Sequence, residues 1–231
     1  MQRAYLIPAY QACRSLKQVL DGLRAHDPEG AILVVDDGST DGSGDIARAA
    51  GVDVVSHETN RGKGVALRSG FAWLLERGFA SAVTVDADGQ HRPEDAVLLA
   101  KHPAPPTAIV LGVRDLVRDG APKPSRFSNR FSNWWVSRFA GVQLSDTQCG
   151  LRRYPLAATL ALGGAARGYG YESDLLVRAA RAGITIVETE VNVIYPPKAE
   201  RVSHFHVVSD PARIVLRLVH TALTVRRRAR A

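Results

Sequence analysis

The chain has 231 residues, 45% of them hydrophobic and 23% charged, a balance that favours a folded globular protein over a disordered one. Its formal net charge of +7 favours an anionic partner such as nucleotide phosphate, acidic lipid or nucleic acid. The two cysteines, Cys13 and Cys149, form neither a disulfide framework nor a zinc pattern, and no run of about 18 uncharged apolar residues predicts a membrane span. We therefore expect one compact cytoplasmic domain with a short appendage.

Short apolar runs alternate with helical patterns through the first half of the chain. Strands are predicted at residues 5–7, 32–35, 52–55, 82–85 and 109–111, with Pro8 ending the first of them. Helices are predicted at residues 16–23, 46–50 and 65–77. This alternation indicates an α/β fold with a mostly parallel sheet and helices on both faces.

Prolines break the second half into loops, and its elements are less regular. Helices are predicted at 129–139 and 172–182, and a strand at 185–193. From 210 onward, helical spacing is combined with a cluster of arginines, which are Arg226, Arg227, Arg228 and Arg230. We expect an α/β domain over 1–209 and, over 210–231, a basic amphipathic helix that lies on an anionic membrane surface. The alternative is a helix packed on the domain with a frayed basic end.

Acidic side chains come directly after two of the predicted strands. Asp36 and Asp37 follow the second strand, and Asp86 and Asp88 follow the fourth. In an open parallel sheet, ligands bind outside the carboxyl ends of the strands. Asp86, Asp88 and Gln90 alternate along an extended segment, so their oxygen atoms project to one side and suit Mg²⁺ or Mn²⁺. The alternative is a polar turn that caps the next helix.

Three other ligand-binding patterns do not fit these stretches. A calcium loop beginning at Asp37 would need a glutamate where Arg48 stands. A dinucleotide fingerprint would place G-x-G-x-x-G after the first strand, but residues 8–10 read Pro-Ala-Tyr. Residues 62–64 read Gly-Lys-Gly without the serine or threonine of a phosphate-binding P-loop. These mismatches exclude a calcium-binding loop, a dinucleotide-binding site and a phosphate-binding P-loop at these positions.

Taken together, the motifs resemble glycosyltransferase family two, and within it the dolichyl- and polyprenyl-phosphate sugar synthases. The segments that carry the resemblance are Ile7-Pro8-Ala9-Tyr10, Val35-Asp36-Asp37-Gly38-Ser39, Asn60-Arg61-Gly62-Lys63-Gly64, Asp86-Ala87-Asp88-Gly89-Gln90-His91 and Asp146-Thr147-Gln148-Cys149-Gly150. The resemblance implies a GT-A fold and an inverting, metal-dependent enzyme that uses Mg²⁺ or Mn²⁺. It also implies a GDP- or UDP-sugar donor of the mannose or glucose type and a polyprenyl-phosphate acceptor.

The resemblance assigns roles to individual positions. Residues implied in binding the nucleotide sugar are Pro8, Ala9, Tyr10, Asp36, Asp37, Lys63, Asp86 and Arg201. Residues implied in holding the metal are Asp86, Asp88 and Gln90. The resemblance implies catalytic roles for Asp88 and Arg114. Asp146 and Glu172 are further catalytic candidates, as possible bases, and Arg126 and Arg130, which match the family more loosely, are candidates for holding the acceptor phosphate. The synthases usually have Asn-Glu where this chain has Gln11-Ala12, a difference that bears on the base and ribose contacts.

The nature of the acceptor decides whether a general base is needed. A phosphate monoester is already anionic at neutral pH, and the cation-rich stretch 114–138 favours such a lipid-phosphate acceptor at the inner face of a membrane. A hydroxyl acceptor, in cell-envelope polysaccharide or lipid synthesis, would need a base. The candidates for that base are Asp146, Glu172 and Asp174. A structural role is open for two of them, because Asp146 could orient Arg152 or Arg153 and Glu172 could be a first-turn helix acid.

Several other conspicuous side chains have simple structural explanations. We expect the aromatic residues Trp134, Trp135 and Phe139 to pack in the core, and Cys149 to be a small packed residue. The segment 203–206 could close over a bound diphosphate. No nucleic-acid-binding module accompanies the basic tail, so we expect no nucleic-acid partner.

Overall fold

The computed structural model describes residues 2–164, residues 170–195 and Thr221. The strands in these ranges are β1 (Ala4–Ala9), β2 (Ala31–Asp36), β3 (Asp53–Ser56), β4 (Ser81–Thr84), β5 (Ile109–Arg114), β6 (Arg152–Pro155) and β7 (Ile186–Val191). The helices are α1 (Leu16–His26), α2 (Ser43–Ala49), α3 (Lys63–Glu76), α4 (Pro93–Ala100), α5 (Lys123–Ala140), α6 (Leu156–Ala161) and α7 (Gly170–Ala182).

The strands form one sheet in the order β3-β2-β1-β4-β6-β5-β7. All neighbouring pairs are parallel except the two that involve β6, which runs antiparallel to both β4 and β5. The predicted α/β fold with a mostly parallel sheet is therefore confirmed. The antiparallel strand is a finding that the hydrophobic pattern did not predict, because β6 reads Arg-Arg-Tyr-Pro.

Helices cover both faces of the sheet, each over its own hydrophobic cluster. Alternate strand residues point to opposite faces, so Leu6 and Leu33 pack with α3, α5, α6 and α7. Ile7 and Val34 point the other way and pack with α1, α2 and α4. With both faces covered, the sheet leaves the carboxyl ends of its strands as the place where polar side chains can meet a ligand.

Pro8 lies inside β1 instead of ending it. The ladder between β1 and β4 stops at Leu6 and Thr84, while the ladder between β1 and β2 continues through Pro8 to Ala9. Because proline has no N–H to donate, it is tolerated in a strand where one side needs no ladder bond. The predicted end of the strand at residue 7 was therefore wrong by two residues, because β1 continues to Ala9.

Buried arginines make β6 possible at the centre of the sheet. Arg152 donates to the carbonyl oxygens of Cys149 at 2.7 Å and Thr147 at 2.8 Å. Arg153 donates to those of His102 and Ala104. Hydrogen bonds to these carbonyl oxygens offset the free-energy cost of burying the two guanidinium groups. They also connect the neighbouring loops to the strand. Neither arginine pairs with Asp146 in the contacts of the described residues, so the alternative in which Asp146 orients one of them is not supported.

The C-terminal prediction cannot be compared with the fold. The expected helix at 210–231, the domain boundary at 209, Arg201 and the segment 203–206 all lie outside the described residues, apart from the buried Thr221. Within the part of the chain that the structure describes, no helix is both long and apolar enough to cross a membrane.

Candidate active site

The acidic pair after β2 forms a tight turn against the neighbouring loop. Asp36 Oδ1 accepts a hydrogen bond from the backbone N–H of Ser39 at 3.0 Å. Gly38 has φ +76°, and a Cβ there would lie 2.5 Å from the carbonyl carbon of Thr59. Only glycine adopts this conformation and allows this approach without strain. The turn therefore packs directly against the loop that leads into α3.

Asp37 is the centre of a buried hydrogen-bond network. Its carboxylate accepts from the backbone N–H of Arg61 at 3.1 Å and of Gly62 at 2.7 Å. His57 Nδ1 lies 2.6 Å from Asp37 Oδ1, and His57 Nε2 lies 3.0 Å from Ser69 Oγ. Asp37 is only 2% exposed. Its predicted contact with the nucleotide stays a prediction, while the structure shows it fixing the start of α3.

Gln11 links the end of β1 to the same turn. Its side-chain amide exchanges hydrogen bonds with Thr40, accepting from the backbone N–H at 3.0 Å and donating to Oγ1 at 3.1 Å. It has φ +52°, a conformation uncommon for residues other than glycine and often found at functional sites. Tyr10, directly before it, is 40% exposed. The predicted nucleotide segment Pro8-Ala9-Tyr10 thus lies beside the Asp36–Asp37 turn.

A half-buried lysine bridges two of the predicted site carboxylates. Lys63, in the first turn of α3, lies 2.6 Å from Asp86 Oδ1 and 2.9 Å from Glu172 Oε2. His91 Nε2 lies 3.6 Å from the other oxygen of Asp86. The fold therefore brings together three predicted residues from distant parts of the chain: Lys63 from α3, Asp86 from the end of β4 and Glu172 from α7.

The charges in this cluster stabilise each other. Burial alone would lower the pKa of Lys63, but the carboxylates of Asp86 and Glu172 hold it above its usual value. Burial alone would raise the pKa of Asp86, but Lys63 and His91 bring it well below its usual range. At neutral pH the cluster therefore holds an ammonium between two carboxylates.

Asp88 has no ion-pair partner among the described residues. The residue is exposed, and its Oδ1 accepts from the backbone N–H of Gln90 at 3.0 Å. Partial desolvation of the carboxyl group and the neighbouring negative charge of Asp86 raise the pKa of Asp88. A group whose charge is disfavoured in this way fits a position that a cation occupies.

The donor set fits a divalent metal that shares its coordination with substrate. Among the described residues, no three side chains of the His, Cys, Asp and Glu types converge as a complete metal cage. Asp88, Asp86 and Gln90 offer hard oxygen atoms from one short segment. Mg²⁺ is commonly bound by one or two carboxylates, with water and substrate phosphates as the other ligands. The predicted set matches that incomplete kind of site.

Asp146 and Arg114 form an ion pair, so two predicted catalytic residues contact each other. Arg114 Nε lies 2.6 Å from Asp146 Oδ2. Asn129 donates to Asp146 Oδ1 at 2.6 Å, and the backbone N–H groups of Gln148 and Cys149 approach the same oxygen at 3.2 Å. Burial alone would raise the pKa of Asp146, but Arg114 lowers it. Asp146 is therefore an anion held by several donors and positions Arg114 together with the 146–149 turn.

The two predicted acceptor arginines occupy different surroundings. Arg130 is exposed and lines an open cavity of about 570 Å³ together with Arg114, Asn129 and Asn133. Arg126 lies one turn earlier on α5 and does not line that cavity; its Nε is buried and has no hydrogen-bond partner among the described residues. Arg130 and Arg114 are thus brought to one cavity, whereas Arg126 stands beside it.

Sequence reasoning missed His57 and assigned no role to Gly150. His57 is a single histidine without a metal-ligand spacing, and Gly150 lies in a motif whose role depends on packing. A Cβ at Gly150 would lie 2.2 Å from Asp86 Oδ2, so this glycine leaves room for a site carboxylate. The signal for His57 was its place just after β3, at the same sheet edge as Asp37. Burial raises the pKa of the Cys149 thiol to about 12, in keeping with a packed residue.

Comparison with known proteins identifies the family. The family model described as "Glycosyl transferase family 2" matches residues 5–156 of this chain. The undecaprenyl-phosphate mannosyltransferase of Micrococcus luteus is 38% identical over 202 residues, covering 82% of this chain and 82% of the relative. The polyprenol monophosphomannose synthase of Mycolicibacterium smegmatis is 30% identical over 199 residues, covering 80% and 75%.

Solved structures share the fold at lower sequence identity. Glucosyl-3-phosphoglycerate synthase from Mycobacterium tuberculosis, crystallised with uridine diphosphate, superposes with a TM-score of 0.71 at 20% identity, covering 96% of this chain and 79% of that one. A further crystal structure of that enzyme contains Mn²⁺ and uridine diphosphate. The strand-end carboxylates, the shared fold and the match over most of the chain agree, and the protein belongs to glycosyltransferase family 2.

Proposed function

We propose that the protein transfers a sugar of the mannose or glucose type from a GDP- or UDP-sugar to a polyprenyl phosphate, with inversion at the anomeric carbon. The observation that carries the choice of acceptor is that all three candidate bases are already ion-paired. Asp146 pairs with Arg114, Glu172 with Lys63, and Asp174 with Arg178 at 2.9 Å. A carboxylate held by a cation is a weak base, and a phosphate acceptor needs none.

The names of the relatives support the same acceptor. Those from Micrococcus luteus and Mycolicibacterium smegmatis are named for mannosyl transfer to undecaprenyl phosphate and for polyprenol monophosphomannose synthesis. A relative from Methanococcus voltae, 30% identical over 219 residues, is named UDP-N-acetylglucosamine–dolichyl-phosphate N-acetylglucosaminyltransferase. The shared element of these names is a polyprenyl-type phosphate. Such an acceptor would place the reaction at the cytoplasmic face of a membrane.

In the proposed mechanism, the chain stabilises the charge that develops on the leaving diphosphate. Asp88, with Asp86 and Gln90, would hold Mg²⁺ or Mn²⁺, which supplies Lewis-acid stabilisation of the leaving group when bound. Lys63 adds a fixed positive charge beside Asp86. Arg114, held by Asp146, and Arg130 present guanidinium groups to the cavity where the acceptor phosphate would lie.

One observation supports a second candidate, the same transfer to a hydroxyl group. Glu172 Oε1 is buried and has no hydrogen-bond partner among the described residues, so it could accept a proton from an acceptor hydroxyl. The two candidates differ in the effect of replacing this carboxylate. Glu172→Gln should reduce transfer only a few-fold for a phosphate acceptor, and by about 10²–10⁴-fold if Glu172 is the general base.

The deciding experiment measures release of nucleoside diphosphate by the purified protein. GDP- and UDP-sugars are each offered with Mn²⁺ and with polyprenyl phosphate, the matching unphosphorylated polyprenol, or no acceptor. We expect release only with the phosphorylated lipid, loss of release in excess chelator, and loss by orders of magnitude in Asp88→Ala with the fold retained. Release with polyprenol, or full activity in chelator, would contradict the proposal.

A further inference from the structure

Helix α5 exposes its large aromatic side chains and buries its small ones. Phe127 is 73% exposed, Trp134 60% and Phe131 38%. The buried residues of the helix are Ser128, Asn129, Ser132, Val136 and Ala140. A helix on the surface of a globular domain normally shows the opposite arrangement. Trp134 therefore does not pack in the core as its sequence context suggested, whereas Trp135 and Phe139 do pack partly against it.

The inward face of α5 is polar because it holds the 145–149 turn. Asn129 donates to Asp146, and the hydroxyl groups of Ser132 and Thr147 lie 3.0 Å apart. Asn133 donates to the carbonyl oxygen of Ser145 and accepts from the backbone N–H of Thr147 at 2.8 Å. This side of the helix is used for positioning Arg114 and the turn, so the outward aromatic residues need another explanation.

The outward face combines aromatic residues with cations and contains no acid. Residues three and four apart lie on one side of a helix, and the outward face, all exposed, consists of Lys123, Phe127, Arg130, Phe131, Trp134 and Arg138. Within 123–140 there is no aspartate or glutamate. Tryptophan and phenylalanine alongside lysine and arginine are typical of helices that lie in the interface of a membrane.

The aromatic residues are held in place by packing between rings. Trp134 meets Trp135 edge to face with ring centroids 4.7 Å apart, and Trp135 stacks on Phe139 at 5.5 Å. Phe131 contacts Trp135 from the other side at 6.3 Å. Since Trp135 is anchored against the core, the exposed rings of Phe131 and Trp134 project from a rigid base. Little conformational freedom would be lost when they enter an apolar phase.

We propose that the outward face of α5 docks the protein onto an anionic lipid bilayer. Positive charge without any acid complements an anionic surface, and the exposed rings suit the boundary between head groups and acyl chains. Arg130 belongs to this face and also lines the cavity that contains Arg114. If the proposed function holds, docking would therefore bring the cavity to the level of the lipid phosphates. The docking itself requires no sugar donor or acceptor.

The test uses the full chain with vesicles that contain no polyprenyl phosphate, so its outcome is independent of the transfer reaction. Co-sedimentation is measured with phosphatidylcholine vesicles, with and without phosphatidylglycerol, at low and high salt. We expect binding to the anionic vesicles, and partitioning weaker by about tenfold or more in Phe127→Gln/Trp134→Gln. The matched control is Leu98→Gln, which removes a 47% exposed leucine from α4 on the other side of the sheet and should bind as the wild type does.

A second measurement separates α5 from the C-terminal arginines. Vesicles with brominated acyl chains should quench tryptophan fluorescence in the wild type, and Trp134→Phe should bind as well but lose most of the quenching. Equal binding of the Phe127→Gln/Trp134→Gln variant and the wild type would overturn the proposal. So would quenching that persists in Trp134→Phe. Loss of self-association in the double variant, with vesicle binding unchanged, would identify a second copy of the chain as the occupant.

Discussion

At the scale of single residues, His57 stands out because it connects the Asp36–Asp37 turn to α3. It lies between Asp37 and Ser69 and is only 7% exposed at its side chain. Asp37 in turn accepts from Arg61 and Gly62, directly before Lys63. His57 touches none of the atoms expected to react, so we assign it a positioning role for the loop that places Lys63.

Replacing His57 should affect donor binding more than the chemical step. His57→Phe leaves one oxygen of a buried carboxylate short of a partner, at a cost of about 1–3 kcal/mol. We expect the KM for the sugar nucleotide to rise roughly tenfold with a smaller change in kcat. His26→Phe, on the exposed end of α1, is the control and should change neither. A fall in kcat at constant KM would point instead to a role in the reaction itself.

The contacts of Asp146 predict a large effect on stability. Asp146→Asn would leave Arg114 buried without its counter-charge, and breaking a buried ion pair costs about 3–5 kcal/mol. The free energy of unfolding at neutral pH, measured with urea, should fall by that amount. Asp21→Asn, which breaks an exposed pair with Lys17, should change it by less than about 1 kcal/mol. Unchanged stability with abolished transfer would restore a directly catalytic role for Asp146.

The same pair makes stability depend on acid pH. Because Arg114 lowers the pKa of Asp146 in the folded protein, its contribution to stability is fully present above the unfolded pKa of about 3.9. That contribution is lost as the pH falls further towards the lowered folded value. The difference in stability between wild type and Asp146→Asn should therefore be largest near neutrality and shrink below about pH 4. Urea unfolding at several pH values measures it.

At the scale of elements, the antiparallel strand β6 shapes the site through its first residues. Gly150 precedes β6, and its carbonyl oxygen accepts from Thr84 Oγ1 at 2.7 Å. This contact joins the start of β6 to the end of β4, where Asp86 follows. A side chain at position 150 would occupy the space of the Asp86 carboxylate.

Gly150→Ala should therefore reduce transfer without changing any charge. The added methyl group would push Asp86 away from Lys63, and a displacement of about 1 Å at a reacting centre can cost about 10²-fold in rate. We expect such a loss with little change in melting temperature, because the carboxylate can rotate. Gly78→Ala serves as the control, since it adds strain at φ +82° but meets nothing within 4 Å. Wild-type activity in Gly150→Ala would show that the position of Asp86 is not critical.

At the scale of the whole molecule, the candidate site is built from three separate parts of the chain. A bound ligand should therefore stabilise the entire fold. Lys63, Asp86 and Glu172 come from three elements, and a ligand bound between them must dissociate before the domain unfolds. Binding to the native state at 100 times Kd adds about 2.7 kcal/mol. For a domain of this size, this corresponds to an increase in Tm of about 5–10 °C.

This increase should require metal and nucleotide together. A thermal melt with Mn²⁺ plus the preferred nucleoside diphosphate should show the full shift, and either ligand alone should show much less. Asp88→Ala should abolish the additional shift, while Asp45→Ala, on the exposed surface of α2, should retain it. An equal shift in the presence of chelator would contradict metal-dependent nucleotide binding.

Local patterns in the sequence predicted most of the alternating strands and helices, although not α4, α6 or β6, and the sheet edge where the acids lie. Both follow from local patterns: apolar periodicity decides strand or helix, and residues directly after parallel strands must meet at one edge. Asp36, Asp37, Asp86 and Asp88 could therefore be placed together without coordinates. The motifs also identified the family correctly.

Tertiary structure alone decided how those residues are paired. The contacts of Lys63 with Glu172, Asp37 with His57 and Asp146 with Arg114 join residues far apart in the chain, and nothing in local periodicity encodes such contacts. It also placed the charged strand β6 inside the sheet, where carbonyl oxygens of the preceding turn accept from Arg152 and those of the more distant 102–104 loop accept from Arg153. The exposure of the aromatic face of α5 could not be predicted for the same reason. Periodicity defines the faces of a helix, but only its packing partners decide which face is buried.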